Sequence, residues 1–547
     1  YRYLFGFRGT TDSGWDWETA VLHSKATSED LTENRLSNSL LQAGLNDSTP
    51  NAINIFSADV KTALSQAIID VSRNDTSELN SFDFKMTNSE VFNLPAGPVG
   101  MLVGFEYRSE SYTDDRDPRL DGTIQFTSTE TGLGFPFVGD VLGSSPTVDT
   151  SAKRSTNSVF AEMILPISSK MEAQVAMRHE DPDDTKSSTV WKAALGWELT
   201  DDVLLRGSKS TSFRVPNLIQ ANQLYVTRSG NVDDAVGEFV GANDPLDDRY
   251  QIQSFRTGNP DLLPEESDNT SWGIVWTPSN IEGLTITWDD WRIEKDNTIV
   301  LFGRTNSMVA DLVARINYGP ENCDGYNNPA ILRGDGGYTA AEIAKFTAKG
   351  ICPAGEALSI FDEYTNAASR NIAGQDIGIY YDLTTDVGDF NITLNHSETT
   401  EFTQQPTNAY QALVDAQASG VIPFDITFAG FGNLAGLDGN YVEKTSLKFN
   451  YRAGDLGVQL SGLRKGDFYQ SSETRSDGTR YVVPSMTTIN ASVYYWFNVG
   501  DNKARVKFAV KNLEDERAPL ADRFYGFFAD AHQDYGRNFY LDIKVKF

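Results

Sequence analysis

Long apolar runs, cysteine, histidine and positive charge are all scarce in this chain of 547 residues, and each scarcity removes a class of protein. No stretch of about 18 apolar residues occurs, so no helix of the chain could cross a bilayer; mean hydropathy is −0.38. The two cysteines, Cys323 and Cys352, exclude a disulfide-dense scaffold, and with no histidine between them they make a poor metal site. They stand in one long polar segment of an otherwise cysteine-free chain, which predicts a single disulfide formed in an oxidising compartment. The histidines His23, His179, His396 and His532 show no ligand spacing. No Gly-x-Ser-x-Gly elbow or phosphate-cradling Gly-Lys-Ser loop is present, and carboxylates are too plentiful for any pair of them to mark a glycosidase. No catalytic residue, cofactor or metal site is predicted. Lys and Arg total 46 against 76 Asp and Glu, a formal charge of −30, which repels nucleic acid. No period of about 20–50 residues repeats, which removes a solenoid.

What the chain does have is alternation. In Asn538-Phe539-Tyr540-Leu541-Asp542-Ile543-Lys544-Val545-Lys546-Phe547 every second side chain is apolar, and in a strand those residues share one face. Val506, Phe508 and Val510 against Arg505, Lys507 and Lys511, and Leu284, Ile286 and Trp288 against Thr285, Thr287 and Asp289, repeat the pattern. About seventeen such strands are predicted. A face this polar suits a water-filled lumen, because charges such as Glu172 and Arg505 would be costly in a packed core. The expected fold is therefore all-β: a transmembrane antiparallel β-barrel with about 17 strands in this chain, and about 22 in all if the total is that of plugged outer-membrane transporters.

Connections alternate between short and long. Turns are predicted at 10–14, 95–98, 168–169, 201–202, 277–283, 384–389, 453–455 and 499–503. Long links are expected at 26–80, 113–152, 216–266, 296–370, 402–440, 469–484 and 514–535, with only 181–186 short. Tight turns on one side and long loops on the other is the plan of an outer-membrane barrel. Short helices are expected within the loops at 36–43, 60–69 and 338–346, the last capped by Thr339. The acidic runs 114–117 and 244–248 read as solvated loop surface rather than Ca²⁺ sites. The parity of the strand count places an odd number of strands before Tyr1, so residues 1–547 are expected to form the carboxyl-terminal part of one barrel whose first strands lie outside this sequence.

Three segments resemble the TonB-dependent outer-membrane receptors. Phe213-Arg214-Val215-Pro216 is similar to the family's aromatic-Arg-x-Pro strand end, and Gly258-Asn259-Pro260-Asp261-Leu262-Leu263-Pro264-Glu265 to its Gly-Asn-Pro-x-Leu-x-Pro-Glu loop. Asn512-Leu513-Glu514-Asp515 is similar to its Asn-Leu-Phe-Asp segment, with Glu514 where an aromatic is common, and Phe547 matches its terminal aromatic. The roles expected of these residues are structural: prolines end strands, Gly258 and Asn259 shape a turn, and Glu265 satisfies loop backbone donors. The resemblance implies the outer membrane of a Gram-negative bacterium, contact with lipid, and uptake of a ligand driven by the TonB complex through a plug segment that this sequence does not contain. A surface lipoprotein is a further implied partner.

For the ligand, aromatic loop residues point first to an oligosaccharide or peptide, since rings stack on sugar faces. The candidate contacts are Tyr225, Arg228, Tyr250, Phe255, Arg256, Tyr318 and Tyr338. A ferric siderophore or other metal chelate is the alternative, because Arg228, Arg249, Arg256 and Arg304 could hold an anion. A passive channel or a surface adhesin is a third reading.

Overall fold

The computed structural model describes residues 1–546 apart from 131, 242, 322, 324, 325, 367, 368, 424–430, 476–478 and 524; the aromatic Phe547 lies outside the described residues. In chain order the strands are β1 (Arg2–Thr10), β2 (Asp16–Leu36), β3 (Ile68–Leu94), β4 (Gly97–Arg116), β5 (Thr150–Ser168), β6 (Met171–Pro182), β7 (Ser188–Thr200), β8 (Val203–Arg214), β9 (Val226–Asp233), β10 (Arg249–Thr257), β11 (Glu265–Trp276), β12 (Leu284–Asp296), β13 (Ile299–Leu301), β14 (Ile331–Arg333), β15 (Ala357–Asn366), β16 (Arg370–Thr385), β17 (Gly388–Gln404), β18 (Gly432–Asn433), β19 (Glu443–Ala453), β20 (Leu456–Lys465), β21 (Phe468–Thr474), β22 (Arg480–Val483), β23 (Met486–Val499), β24 (Asn502–Lys511) and β25 (Asn538–Lys546). The helices are α1 (Asn38–Leu45), α2 (Val60–Leu64), α3 (Leu218–Asn222), α4 (Ala235–Val240), α5 (Arg304–Tyr318), α6 (Ala340–Ala348) and α7 (Asn408–Ala418).

Eighteen strands, one of them the two-residue β18, form a single sheet, and β18 aside this is the expected seventeen. Neighbours pair antiparallel in chain order, β8 passing to β11, β12 to β16, β17 to β19 and β20 to β23. The intervening strands lie in the loops. No ladder joins β25 to β1 among the described residues.

The alternation sorts the two faces as expected. Phe508 stands between Val493 and Leu541, and Val506 between Tyr495 and Ile543. Phe539, Leu541 and Ile543 are 63%, 63% and 66% exposed, so this face has no protein partner and is the one lipid covers. On the other face charges meet: Arg178 donates to Glu180 at 2.6 Å, and Arg206 to Asp289 at 2.8 Å. Among the described residues no helix is long and apolar enough to cross a membrane.

All the predicted turns join consecutive strands, but the first loop needs correction. The link expected at 26–80 spans only 37–67, because β2 and β3 run for 21 and 27 residues, far beyond the about 9–11 that cross a bilayer. Beyond the membrane both faces meet water, and pairs such as Thr27↔Thr76 and Glu29↔Asn74 carry no apolar alternation to read. The first predicted helix accordingly begins at Asn38, capped by Ser37, with Leu36 still in β2. The second ends at Leu64, followed by a 3₁₀ turn over Ser65–Ala67, and Ile68 and Ile69 belong to β3.

Because a lumen cannot supply a packed core, most of the buried apolar residues sit in the loops. Val232, Val236, Met308, Leu312, Phe346, Ile351, Ile360 and Leu413 form the main cluster, and Phe468, Val483, Phe528 and Ala531 a smaller one.

Candidate functional site

The main cluster makes a cap out of three loops. Residues 215–264 supply β9, α4 and β10; residues 297–369 supply β13, α5, β14, α6 and β15; residues 405–442 supply α7. A small sheet ordered β13-β15-β10-β9, with β14 on β15, crosses from one loop to the next. Helix α5 lies in the middle because Met308, Val309, Leu312 and Val313 recur at helical spacing and are all buried.

Four charges are buried with this core. The Arg333 guanidinium donates to Asp234 at 2.6 and 3.0 Å and to Asp311 at 2.9 Å. Arg315, one turn along α5, also donates to Asp311 at 2.9 Å. Tyr250 donates its hydroxyl to Asp234, Tyr326 and Asn328 donate to Asp311, and Arg315 lies over the Tyr326 ring at 4.3 Å. Burial would raise the Asp311 carboxyl, but Arg333, Arg315 and the two hydrogen bonds hold it below its ordinary value. Burial, with Asp234 adding to it, pushes the Tyr250 hydroxyl up. Both tyrosines therefore stay neutral donors, and the cluster ties the 215–264 loop to the 297–369 loop.

The family-like segments meet below the cap. Arg214 and Glu265 are register partners on β8 and β11, and the guanidinium donates twice to the carboxylate, at 2.8 Å each. Glu265 is 2% exposed and also accepts from Lys295 at 3.0 Å and from the Ile299 amide at 2.8 Å. Phe213 pairs with Glu266, and Pro216 and Pro264 are buried at the two strand ends. Gly258 passes so close to the end of α3 that a Cβ would lie 2.6 Å from the Gln223 nitrogen. Asn259 donates to the Tyr364 carbonyl at 3.0 Å, while Pro260 is exposed. Asn512, at φ 53°, exchanges bonds with Glu516 at 2.7 and 2.9 Å, and the Leu513 amide donates to Ile489.

Cys323 and Cys352 are joined in a disulfide across 29 residues. The other candidates scatter through the cap. Phe255 is buried, stacked on Phe361 at 5.2 Å with Tyr225 and Phe137 edge-on. Tyr250 belongs to the ion cluster. Tyr318 is 42% exposed and packs on Tyr326. Tyr338 donates to the Ala354 carbonyl at 3.0 Å and lines a cavity of about 380 Å³ with Leu246, Asp247, Asp335 and Glu356. Arg256 is the register partner of Asp362, and Arg249 lies 3.4 Å from Asp233. Arg228 is exposed and stands opposite Ser254. On the same face of β9, two residues along, Gly230 abuts Arg304, whose Nη1 is buried without a hydrogen-bond partner, as is the Ser254 hydroxyl. Sequence reasoning missed Asp234, Asp311, Arg315 and Arg333; the only local signal was the i,i+4 spacing of Asp311 and Arg315 on an amphipathic segment.

Comparison with known proteins completes the description. The family model for the TonB dependent receptor-like β-barrel matches residues 1–513. Among solved structures, the siderophore receptor PirA from Acinetobacter baumannii aligns with a TM-score of 0.58 at 16% identity, over 99% of this chain and 61% of that one. A mutant of the ferric enterobactin receptor PfeA from Pseudomonas aeruginosa aligns at 0.58 with 14% identity and the same coverage. The ferripyoverdine receptor of the Pseudomonas aeruginosa outer membrane aligns at 0.55 with 11% identity, over 99% and 55%. The chain thus spans about three fifths of the length of the first two structures. No curated protein matches. With a match this long, a strand order that follows the barrel plan and an apolar face turned outward, the chain belongs to the TonB-dependent receptors, β-barrel proteins of the Gram-negative outer membrane.

Proposed function

We propose that this chain forms the barrel and extracellular cap of a receptor that captures an anionic metal chelate of the ferric siderophore class and imports it with energy supplied through TonB. The observation that carries this reading is the Arg304 guanidinium, its Nη1 buried and unpartnered beside Gly230, two residues along β9 from Arg228, which stands opposite the unpartnered Ser254 hydroxyl. A guanidinium held this way is ready for an oxyanion or a deprotonated chelating oxygen. Receptors for siderophores share the fold, which adds support. The oligosaccharide or peptide reading needs open ring faces, whereas Phe255 is buried among other rings and Tyr250 and Tyr338 donate to partners within the cap. Binding of ferric catecholate and hydroxamate chelates to the purified receptor tests the proposal. Saturable binding that weakens about ten-fold in Arg304→Ala, about 1.4 kcal/mol, is the expected result. Failure to bind any chelate, with saturable binding of a neutral oligosaccharide instead, would overturn it.

A further inference from the structure

The charges on the lumen side of the sheet are unevenly spread. On β24 and β25 the charged residues opposite the lipid face are Lys503, Arg505, Lys507 and Lys511, and Asp542, Lys544 and Lys546. Lys503 directly opposes Lys546, and Arg505 opposes Lys544. Beyond β23, Lys444 of β19 opposes Lys465 of β20. Like charges facing each other across an antiparallel ladder destabilise it, yet the arrangement occurs three times on this wall. The cations share one face, since Lys503, Arg505 and Lys546 all lie within 5.2–5.7 Å of the Trp496 ring. Lys448 and Arg452 extend the same face along β19. Asp542, bound to Arg505, is the lumen-side carboxylate within strands β19, β20, β23, β24 and β25 among the described residues, and Asp455, in the turn before β20, lies 3.5 Å from Lys503.

The wall formed by β2 to β7 is different. Most of its cations have carboxylate partners: Lys85 lies 3.0 Å from Glu18, and Arg178 bonds Glu180 and Glu106. Glu162 and Glu172 add further carboxylates on the same side. The positive wall is thus a local feature of a chain whose formal charge is −30.

We infer that the basic wall of β19, β20 and β23 to β25 is the passage along which an anionic ligand crosses the lumen, an inference that rests on the chelate reading above. From Lys503 to Lys511 the cations run for about 27 Å at ~3.4 Å per residue, close to the about 25 Å of the apolar band. A row of similar cations offers an anion many shallow positions and no deep one, the condition for entering and leaving a pore. The opposed lysines gain a shared counter-ion whenever the ligand passes.

The test compares surface binding and energised uptake of a negatively charged ferric tricatecholate by cells making the complete receptor or its variants. In the Lys448→Glu, Lys507→Glu, Lys544→Glu triple variant, binding stays within about two-fold of wild type while uptake falls about ten-fold or more. The matching Arg triple variant takes up the chelate normally, and the Gln triple variant, which carries no reversed charge, falls between. Unchanged uptake in the Glu and Gln variants overturns the inference. So does uptake that falls only in proportion to folded receptor, with a lowered Tm, which would show the cations holding a fixed acidic protein surface instead. A wild-type receptor that binds no chelate overturns the chelate reading, and this inference with it.

Discussion

At Glu265 two stretches of sequence 51 residues apart become one structure. Its carboxylate holds Arg214, Lys295 and the first amide of β13, so a single side chain fixes where the barrel stops and the cap begins. Both motif residues were legible in the sequence, and so was a backbone-satisfying role for Glu265; their pairing was not, because it depends on the β8–β11 register. Glu265→Ala is expected to cost about 3 kcal/mol, the low end for breaking a buried pair because Arg214 is half exposed, read as faster hydrogen exchange at 297–303. His532 is the second residue of this kind. It is 1% exposed, stacked on Phe468 at 5.7 Å, with neither ring nitrogen partnered. Burial first, and then the Lys465 ammonium, lower its pKa below the ordinary 6.5. The unfolded loop therefore takes up a proton before the folded one does, so this contribution to stability is complete above the ordinary value and is lost as pH falls through it toward the lowered one. The protection of amides in 512–537, corrected for the pH dependence of intrinsic exchange, should fall as pH drops from 7 to 5, and His532→Phe should leave it flat; pH-independent protection in the wild type would refute this.

Among the elements, legibility followed the local signals. Helix α6 was readable because Thr339 and Glu342 form a capping box at its start and Gly350, at φ 75°, follows its end. Helix α5 begins at Gly303 with no side-chain cap, and its apolar spacing, though present, lay inside what read as a long loop. Strands β9, β10 and β15 could not be placed because a five-stranded sheet assembled from two loops leaves no mark on either one. The Cys323–Cys352 bridge spans α6 and closes onto the end of α5. Cys323→Ser is expected to loosen 319–356 by about 2–3 kcal/mol through restored chain freedom, seen as faster exchange there with the barrel's unfolding temperature unchanged. Loss of the barrel transition would show that the cap and the wall fold as one unit.

For the whole molecule, the outward face predicts how the chain meets lipid. Phe508 stands six residues from the turn after β23 and is 47% exposed between Val493 and Leu541; Phe508→Arg should cost about 2–4 kcal/mol near the bilayer midplane, measured as loss of the folded, heat-modifiable band. From the sequence alone came the alternation, the turn positions and hence the order of the strands, because a period of two and a run of turn residues are local properties that each segment carries for itself. The disulfide pairing followed equally from there being only two cysteines. Only the tertiary structure decided which loops form the cap, how far β2 and β3 rise beyond the membrane, and which cations oppose each other on adjacent strands. Those features depend on register and on contacts between residues up to about a hundred positions apart, such as Asp234 with Arg333, and no local pattern encodes a partner at that distance.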